Sequence, residues 1–414
     1  MTATVRIPLL LLAFYVTVPI GDWPGLGLSL SAPLGVLILA ETLLSREWVP
    51  PRPWTSLALL LWTGLAASLV VNLLAGAFPR IATDELLLLL RFAYWLGIFV
   101  VIANRLARAE WAGQIAAALG LGAGALAVLR LVEATRGGVW GEGNPQWLSQ
   151  NDYGFGFSTF TPFLLWTAFA GPRPLRWIAA VLAPLAVLAI VGNGSRSSWA
   201  AVTVGSIVLL AIGVFGRGVR IWTAAATAAV GLVFLGALVG QATASSSDLL
   251  AGPKARWNSL SRLDRDKPFQ TRLLLIDKGV QLFRRSPLLG VGLGRFTKES
   301  AEPRGLPAAE WLDRDQLNWR TPHNAYIKIL AETGLAGTLP LALLLGLQAW
   351  RGPGAAVRLT RRGDSWAAAA VAAGAGMGLH LWTMSGLTGT GPWLVLGLIA
   401  AAIERDRLQP REGR

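Results

Sequence analysis

Long apolar runs recur from one end of this chain to the other, and that repetition limits what it can fold into. A soluble core has no use for so many buried segments, whereas a bilayer needs each span to be apolar for about 20 residues. Composition agrees. Of 414 residues, 53% are hydrophobic and only 14% charged, against about 25% charged in an average soluble protein. The expected class is an all-α polytopic membrane protein. A β-barrel is excluded because the runs are continuous rather than alternating.

Twelve spans are expected, at about 7–20, 26–44, 55–76, 84–104, 112–131, 152–170, 176–192, 198–216, 221–241, 323–349, 366–385 and 388–403. The first, seventh and last are short. The opening residues carry a basic side chain and an apolar run but no small-residue cleavage site, so they are taken as an uncleaved first span. This divides the chain into 1–241 (nine spans), 242–322 (a large outer segment) and 323–414 (three spans and a basic tail).

Arginine placement orients the bundle. With the N-terminus in the cytoplasm, Arg6, Arg46, Arg52, Arg105, Arg108, Arg173, Arg176, Arg217 and Arg220 fall inside, as do Arg351, Arg358, Arg361, Arg362 and the tail. The short outer loops keep only Arg80, Arg130, Arg136 and Arg196. That bias predicts both termini inside. It also explains the net charge of +14 without nucleic acid. With no cysteine, disulfides, a thiolate nucleophile and a thiolate metal site are excluded. Trp23, Trp48, Trp54, Trp111, Trp140 and Trp177 lie near proposed span ends, where interfacial anchors belong.

The outer segment is mixed in charge, and its length implies a function. In FQTRLLLIDKGVQLFRR, Phe269, Leu273, Ile276, Val280 and Phe283 repeat at helical spacing, with Arg272 and Lys278 off that stripe. The pattern predicts a helix lying along the membrane surface. SPLLGVGLGRF follows as a glycine-rich turn region; it is no P-loop, since no Gly-Lys-Ser/Thr follows.

Three residues carry the candidate chemistry. Arg196 lies in VGNGSRSSW, a very short outer turn of mostly small residues. Arg272 lies near the start of the surface helix. His323 stands in TPHNAYIKILAETGLAGT, at the mouth of the tenth span. Each also has a plainer account: loop arginine, headgroup contact, interfacial histidine. Together they suit a diphosphate, because guanidinium pairs bidentately with phosphate oxygens and neutralises a leaving group. An imidazole nearby would take the proton of an incoming hydroxyl.

Further candidates for substrate binding are Asn324, Tyr326, Trp319, Arg320, Asn151, Asp152 and Arg91. Arg91 lies within the fourth span, so it is expected to face the bundle or a cavity. Lys328 and Glu332 form an i,i+4 pair on the tenth span. His380, near the outer end of the eleventh, is read as structural. Two LDRD copies supply the pairs Asp264/Asp266 and Asp313/Asp315, which leaves a metal-dependent site as an alternative. A lipid-linked glycan or ion transporter is a second alternative. It would predict charges throughout the spans and repeat symmetry, neither of which is evident.

SRSSW around Arg196, TRLLLIDKGVQLFRRSPLLGVGLGRF around Arg272 and PHNAYIKILAETGLAG around His323 resemble, in order and spacing, the O-antigen ligase family. Its shared region also occurs in some polysaccharide polymerases and protein O-oligosaccharyltransferases. The resemblance implies a C-type membrane glycosyltransferase fold in the bacterial inner membrane. The reaction it implies is inverting and needs neither metal nor cofactor. The donor would be a glycan on undecaprenyl pyrophosphate, and the acceptor lipid A–core or a growing glycan. Arg196 and Arg272 would then bind the diphosphate, and His323 would activate the acceptor on the periplasmic side. Ligation of O-antigen is favoured, with an O-antigen polymerase as the alternative. The family motif usually reads Ser-His-Asn; here it is Pro322-His323-Asn324. Proline in the first turn of a helix would tolerate that change.

Overall fold

The computed structural model describes residues 3–17, 31–44, 52–75, 83–135, 150–217, 267–300 and 321–409. Among these every regular element is a helix. In chain order they are α1 (Ala3–Thr17), α2 (Ser31–Leu44), α3 (Trp54–Leu74), α4 (Thr83–Arg108), α5 (Ala112–Thr135), α6 (Gln150–Ala170), α7 (Arg173–Gly192) and α8 (Arg196–Arg217). There follow α9 (Lys267–Arg285), α10 (Phe296–Ser300), α11 (Ala325–Arg361), α12 (Trp366–His380) and α13 (Thr390–Leu408).

The expected twelve spans are not found. Six of the described helices are long and apolar enough to cross a membrane: α3, α4, α5, α7, α8 and α11. No strand occurs among the described residues, so the C-type glycosyltransferase fold is not retained. An apolar run is not yet a span, and the reasons are local. The α12 helix has 15 residues, about 22 Å of helix against a hydrocarbon layer of about 30 Å. The α6 helix opens on the polar Gln150-Asn151-Asp152, and α13 ends on Glu404-Arg405-Asp406-Arg407. The α1 and α2 helices are apolar but short. The expected ninth span, 221–241, lies outside the described residues.

Contacts between helix ends fix which ends of the described helices lie together. Arg6 at the start of α1 donates to Gln114 at the start of α5 (2.9 Å). Arg105 near the end of α4 pairs with Glu41 near the end of α2 (3.2 Å). The end of α13 meets the start of α3 through Trp54 Nε1 and Glu404 (3.1 Å). It reaches the stretch before α12 through Arg405 and Asp364 (2.7 Å). Arg361 in α11 caps Phe215 O near the end of α8 (3.0 Å). One end of the bundle therefore gathers Arg6, Arg105, Arg358, Arg361 and Arg405. Trp54 sits at this end but is fully buried, so it is a packing residue rather than the expected interfacial anchor. Trp177, by contrast, is 81% exposed.

The core runs along α13, which packs on α4 with Trp393 edge-on to Phe92 and Phe99 (6.2 and 6.5 Å). The α12 helix, WAAAAVAAGAGMGLH, is buried between α6, α8 and α13. Its small side chains let helix backbones approach closely, which is how apolar helices gain packing energy in a membrane.

The α11 helix is broken. Gly334 has φ 57° and ψ −151°, and the freed backbone groups find partners in the glycine-rich stretch after α9. Val291 N donates to Ala331 O (3.0 Å) and Gly292 N to Glu332 O (2.9 Å). Leu335 N and Ala336 N donate to Pro287 O and Leu288 O, each at 2.9 Å. Ser68 of α3 adds a bond to Glu332 O (2.9 Å). Non-helical backbone in a membrane helix persists only where protein satisfies it, and here SPLLGVG and AETGLAG satisfy each other.

No side chain fits at the break. A Cβ on Gly334 would lie 2.6 Å from the Leu288 carbonyl carbon, and the positive φ disfavours one in any case. Gly334→Ala is therefore expected to destabilise the protein by roughly 2–4 kcal/mol. Gly346→Ala, at a helical position with no neighbour within 4 Å, should cost nothing. Thermal unfolding of the two variants in detergent checks this; equal midpoints would contradict the interlock.

Candidate functional site

The end of the bundle opposite the arginine cluster holds the motif residues. At the turn between α7 and α8, Asn193, Ser195 and Ser198 are buried, and Gly194 takes φ 65°. The turn is pinned to the first turns of α6, since Ser195 and Ser198 press on Gly154. Arg196 opens α8 from this fixed base and is half-buried.

The α9 helix runs parallel to the first part of α11. Gly279 abuts Ile327, and the backbone bonds tie Pro287 to Leu335 and Leu288 to Ala336. All three pairings are offset by 48 residues, so the start of α9, with Arg272, lies toward the same end as the start of α11. The buried face of α9 is Thr271, Leu275, Gly279 and Leu282. The stripe expected at the membrane surface looks the other way, with Leu273 46% exposed. The helix thus has two apolar sides, one packed on α11 and one turned outward.

His323 has φ 46°, the only non-glycine positive φ among the described residues. Such a conformation costs about 1–3 kcal/mol and persists where its surroundings enforce it. They do so here. Asn324 is buried and caps α11, its Oδ1 accepting from Ile327 N (3.0 Å). Its Nδ2, also buried, has no acceptor among the described residues. Ala325 N donates to Leu381 O (2.9 Å), and the Tyr326 hydroxyl donates to Gly378 O (2.9 Å). The start of α11 is therefore fastened to the end of α12. Pro322 lies two residues before the cap Asn324 and not in the first helical turn, so the expected first-turn placement is corrected.

Two side chains to which the sequence gives no part in the site complete this end. His380 closes α12 with 1% exposure, and its Nδ1 lies 2.9 Å from Ser158 Oγ. Ser158 donates its one hydroxyl hydrogen to Phe155 O (2.9 Å). Burial, and then the positive charge of Arg272, keep the ring neutral. Phe155 stands edge-on to it at 5.6 Å. The five residues Gly154–Ser158 of α6 thus contact both the Arg196 turn and His380.

Glu332 is the second. Its Oε1 accepts from Phe296 N (3.1 Å), so the carboxylate fastens the stretch between α9 and α10 to the break in α11. Lys328, one turn away, forms no ion pair with it, so the expected i,i+4 pair is corrected: Glu332 bonds to backbone instead. Further out, Glu85 of α4 holds Lys298 (3.0 Å) and Arg295 (3.7 Å). Glu332→Ala is expected to destabilise by about 3–5 kcal/mol by breaking this buried set. Glu332→Gln, which retains the acceptor, should cost clearly less. A melting series checks the order; equal costs would remove the acceptor's role.

Not every expected residue joins the cluster. Asn151 and Asp152 lie in the first turn of α6, at the correct end, with Asp152 exposed. Arg91 is exposed on α4. Trp319, Arg320 and both LDRD pairs lie outside the described residues. Among the described residues no His, Asp or Glu group forms a metal site.

The helices define a multi-pass membrane protein with several apolar spans. Within it, residues 178–342 match the family model described as O-antigen ligase, so a domain of that family occupies this part of the chain. The match runs from α7 into α11 and takes in Arg196, Arg272 and His323. No curated protein matches the chain.

Proposed function

We propose that the chain transfers a glycan from undecaprenyl pyrophosphate to an acceptor hydroxyl on the outer side of the bacterial inner membrane. The observation that carries this reading is the gathering of the three motifs at one end of the bundle. The α9 helix, which carries Arg272, packs along the first part of α11, whose entry is His323. The Arg196 turn abuts the same end of α6 that holds His380.

In this reading Arg196 and Arg272 hold the diphosphate, and His323 takes the proton of the acceptor hydroxyl. The acceptor oxygen bonds to the anomeric carbon as the bond from that carbon to the phosphate oxygen breaks. The diphosphate leaves with its negative charge against the guanidinium groups, and the anomeric configuration inverts. No metal or cofactor enters. Both termini lie in the cytoplasm, and residues 242–322 with the start of α11 form the outer active side. The charge bias of the bundle ends supports that orientation.

Ligation to lipid A–core is the favoured reaction, and polymerisation with a growing glycan as acceptor is the alternative. Purified protein in proteoliposomes, given lipid-linked glycan and lipid A–core, separates them. A single attached band marks the ligase. A ladder formed without lipid A–core marks the polymerase, and no transfer to either acceptor contradicts the reading.

A further inference from the structure

The α12 helix stands between the two helices whose starts carry Arg196 and His323. A Cβ on Gly376 would meet Ala201 O of α8 at 2.8 Å. One on Gly378, about 200° further around the helix, would meet the Tyr326 hydroxyl of α11 at 3.8 Å. The helix is otherwise enclosed, yet its outer end is open: Leu379 and Trp382, one turn apart, are 37% and 58% exposed. An indole that serves only as a membrane anchor belongs on the lipid-facing perimeter, and this one ends a helix packed among α6, α8, α11 and α13. It is also held in place. Its ring leans on Tyr326 (5.3 Å between centroids, 54° between planes), whose hydroxyl hydrogen is given to Gly378 O. Trp382 N donates to Leu379 O (3.2 Å), and Thr383 N to His380 O (2.8 Å). The bond from Ala325 N to Leu381 O (2.9 Å) keeps the Cα atoms of His323 and Trp382 within about 12 Å of each other.

We infer that Trp382 is a sugar platform: its exposed indole stacks on a pyranose ring of the glycan beside His323. This deepens the proposed function and rests on it. One face of a pyranose carries C–H bonds whose hydrogens are made positive by the neighbouring oxygens. An indole face is flat, apolar and negative, so it takes up such a face and leaves the hydroxyl groups to water or to other partners. A separation of about 12 Å between Cα atoms leaves room for one ring between the two side chains. Tyr326 is the backing of this platform rather than a direct contact of the sugar. Ring and backbone are fixed before substrate arrives, so little ordering is left for binding. Guanidinium groups recognise a diphosphate whatever it carries; the indole recognises the sugar.

Two substitutions separate flatness from hydrophobicity. Trp382→Leu keeps an apolar side chain and removes the flat ring, whereas Trp382→Phe keeps a smaller flat ring. Each full-length variant is reconstituted in proteoliposomes and assayed for the KM of the lipid-linked donor and of the acceptor separately. KM is the readout because a partly unfolded sample lowers kcat alone. Binding is titrated with two probes, lipid-linked glycan and undecaprenyl diphosphate, which lacks the sugar.

Loss of one stacked ring predicts that Trp382→Leu raises the KM of a sugar-bearing substrate about five- to fiftyfold. Trp382→Phe should show a clearly smaller rise, and undecaprenyl diphosphate should bind both variants as it binds wild type. A rise in donor KM, with weaker binding of lipid-linked glycan, puts the donor's sugar on the platform. A rise confined to acceptor KM puts the acceptor's sugar there. Unchanged KM values for both substrates in Trp382→Leu overturn the inference and leave Trp382 a membrane anchor. Equal effects of leucine and phenylalanine overturn it as well, because flatness would then not be what is recognised. Equal weakening of both probes also overturns it, because the indole would then touch the carrier. Wild-type protein that neither transfers glycan nor binds undecaprenyl diphosphate removes the functional reading and the platform together. Wild-type turnover with unchanged KM values in Trp382→Leu removes the platform alone.

Discussion

Replacing His323 with asparagine is expected to abolish glycan transfer while leaving donor binding intact. Loss of a general base costs about 10²–10⁴ in rate, and the effect should appear in kcat rather than in donor KM. Asparagine is the informative substitution because His323 sits at φ 46°, a region that asparagine enters more readily than alanine does. The backbone before the cap Asn324 is thus preserved while the imidazole is removed. Alanine would add strain at a position bonded through Ala325 to α12, confusing a chemical loss with a local unfolding. The measurement is turnover of lipid-linked glycan alongside a binding titration with undecaprenyl diphosphate. Equal loss of turnover and binding would reassign His323 to holding the substrate.

Replacing Arg272 with alanine is expected to act on the other parameter. A guanidinium bonded to a diphosphate contributes through charge-assisted, bidentate hydrogen bonds. Its removal should raise donor KM about ten- to a hundredfold and weaken undecaprenyl diphosphate binding in proportion. Arg272→Lys should recover little, because an ammonium cannot make the paired contact. Full recovery by lysine would mean that only positive charge matters at the start of α9. The two substitutions are thus predicted to separate, one in kcat and one in KM, although both residues lie at the same end of the bundle.

Much of the site is legible in the amino-acid sequence. The short turn at Arg196, the helix around Arg272 and the helix start after His323 lie where composition and spacing put them, because turn residues, helical periodicity and a capping asparagine are local signals. What escapes such signals is tertiary. Gly334 looks like any glycine in an apolar run; only the approach of the Leu288 backbone makes it a break. Leu275, Gly279 and Leu282 bury the inner face of α9, yet the stripe through Leu273 is the more periodic one. The span count fails because hydropathy reads apolar runs, whereas a span also needs length and freedom from charge, which α12 and the ends of α6 and α13 lack. For Trp54, position along the helix misleads, and the side of the helix decides. His380 carries no motif. Its place becomes visible only through Ser158 and Phe155.

The central claim is that one end of this bundle binds a lipid diphosphate between the motif residues. An experimental structure of the protein in lipid with undecaprenyl diphosphate bound tests it directly. The account predicts phosphate oxygens within hydrogen-bond distance of Arg196 and Arg272, with the His323 ring facing the position of the sugar. A diphosphate held instead at the opposite end, among Arg105, Arg358 and Arg361, would contradict it.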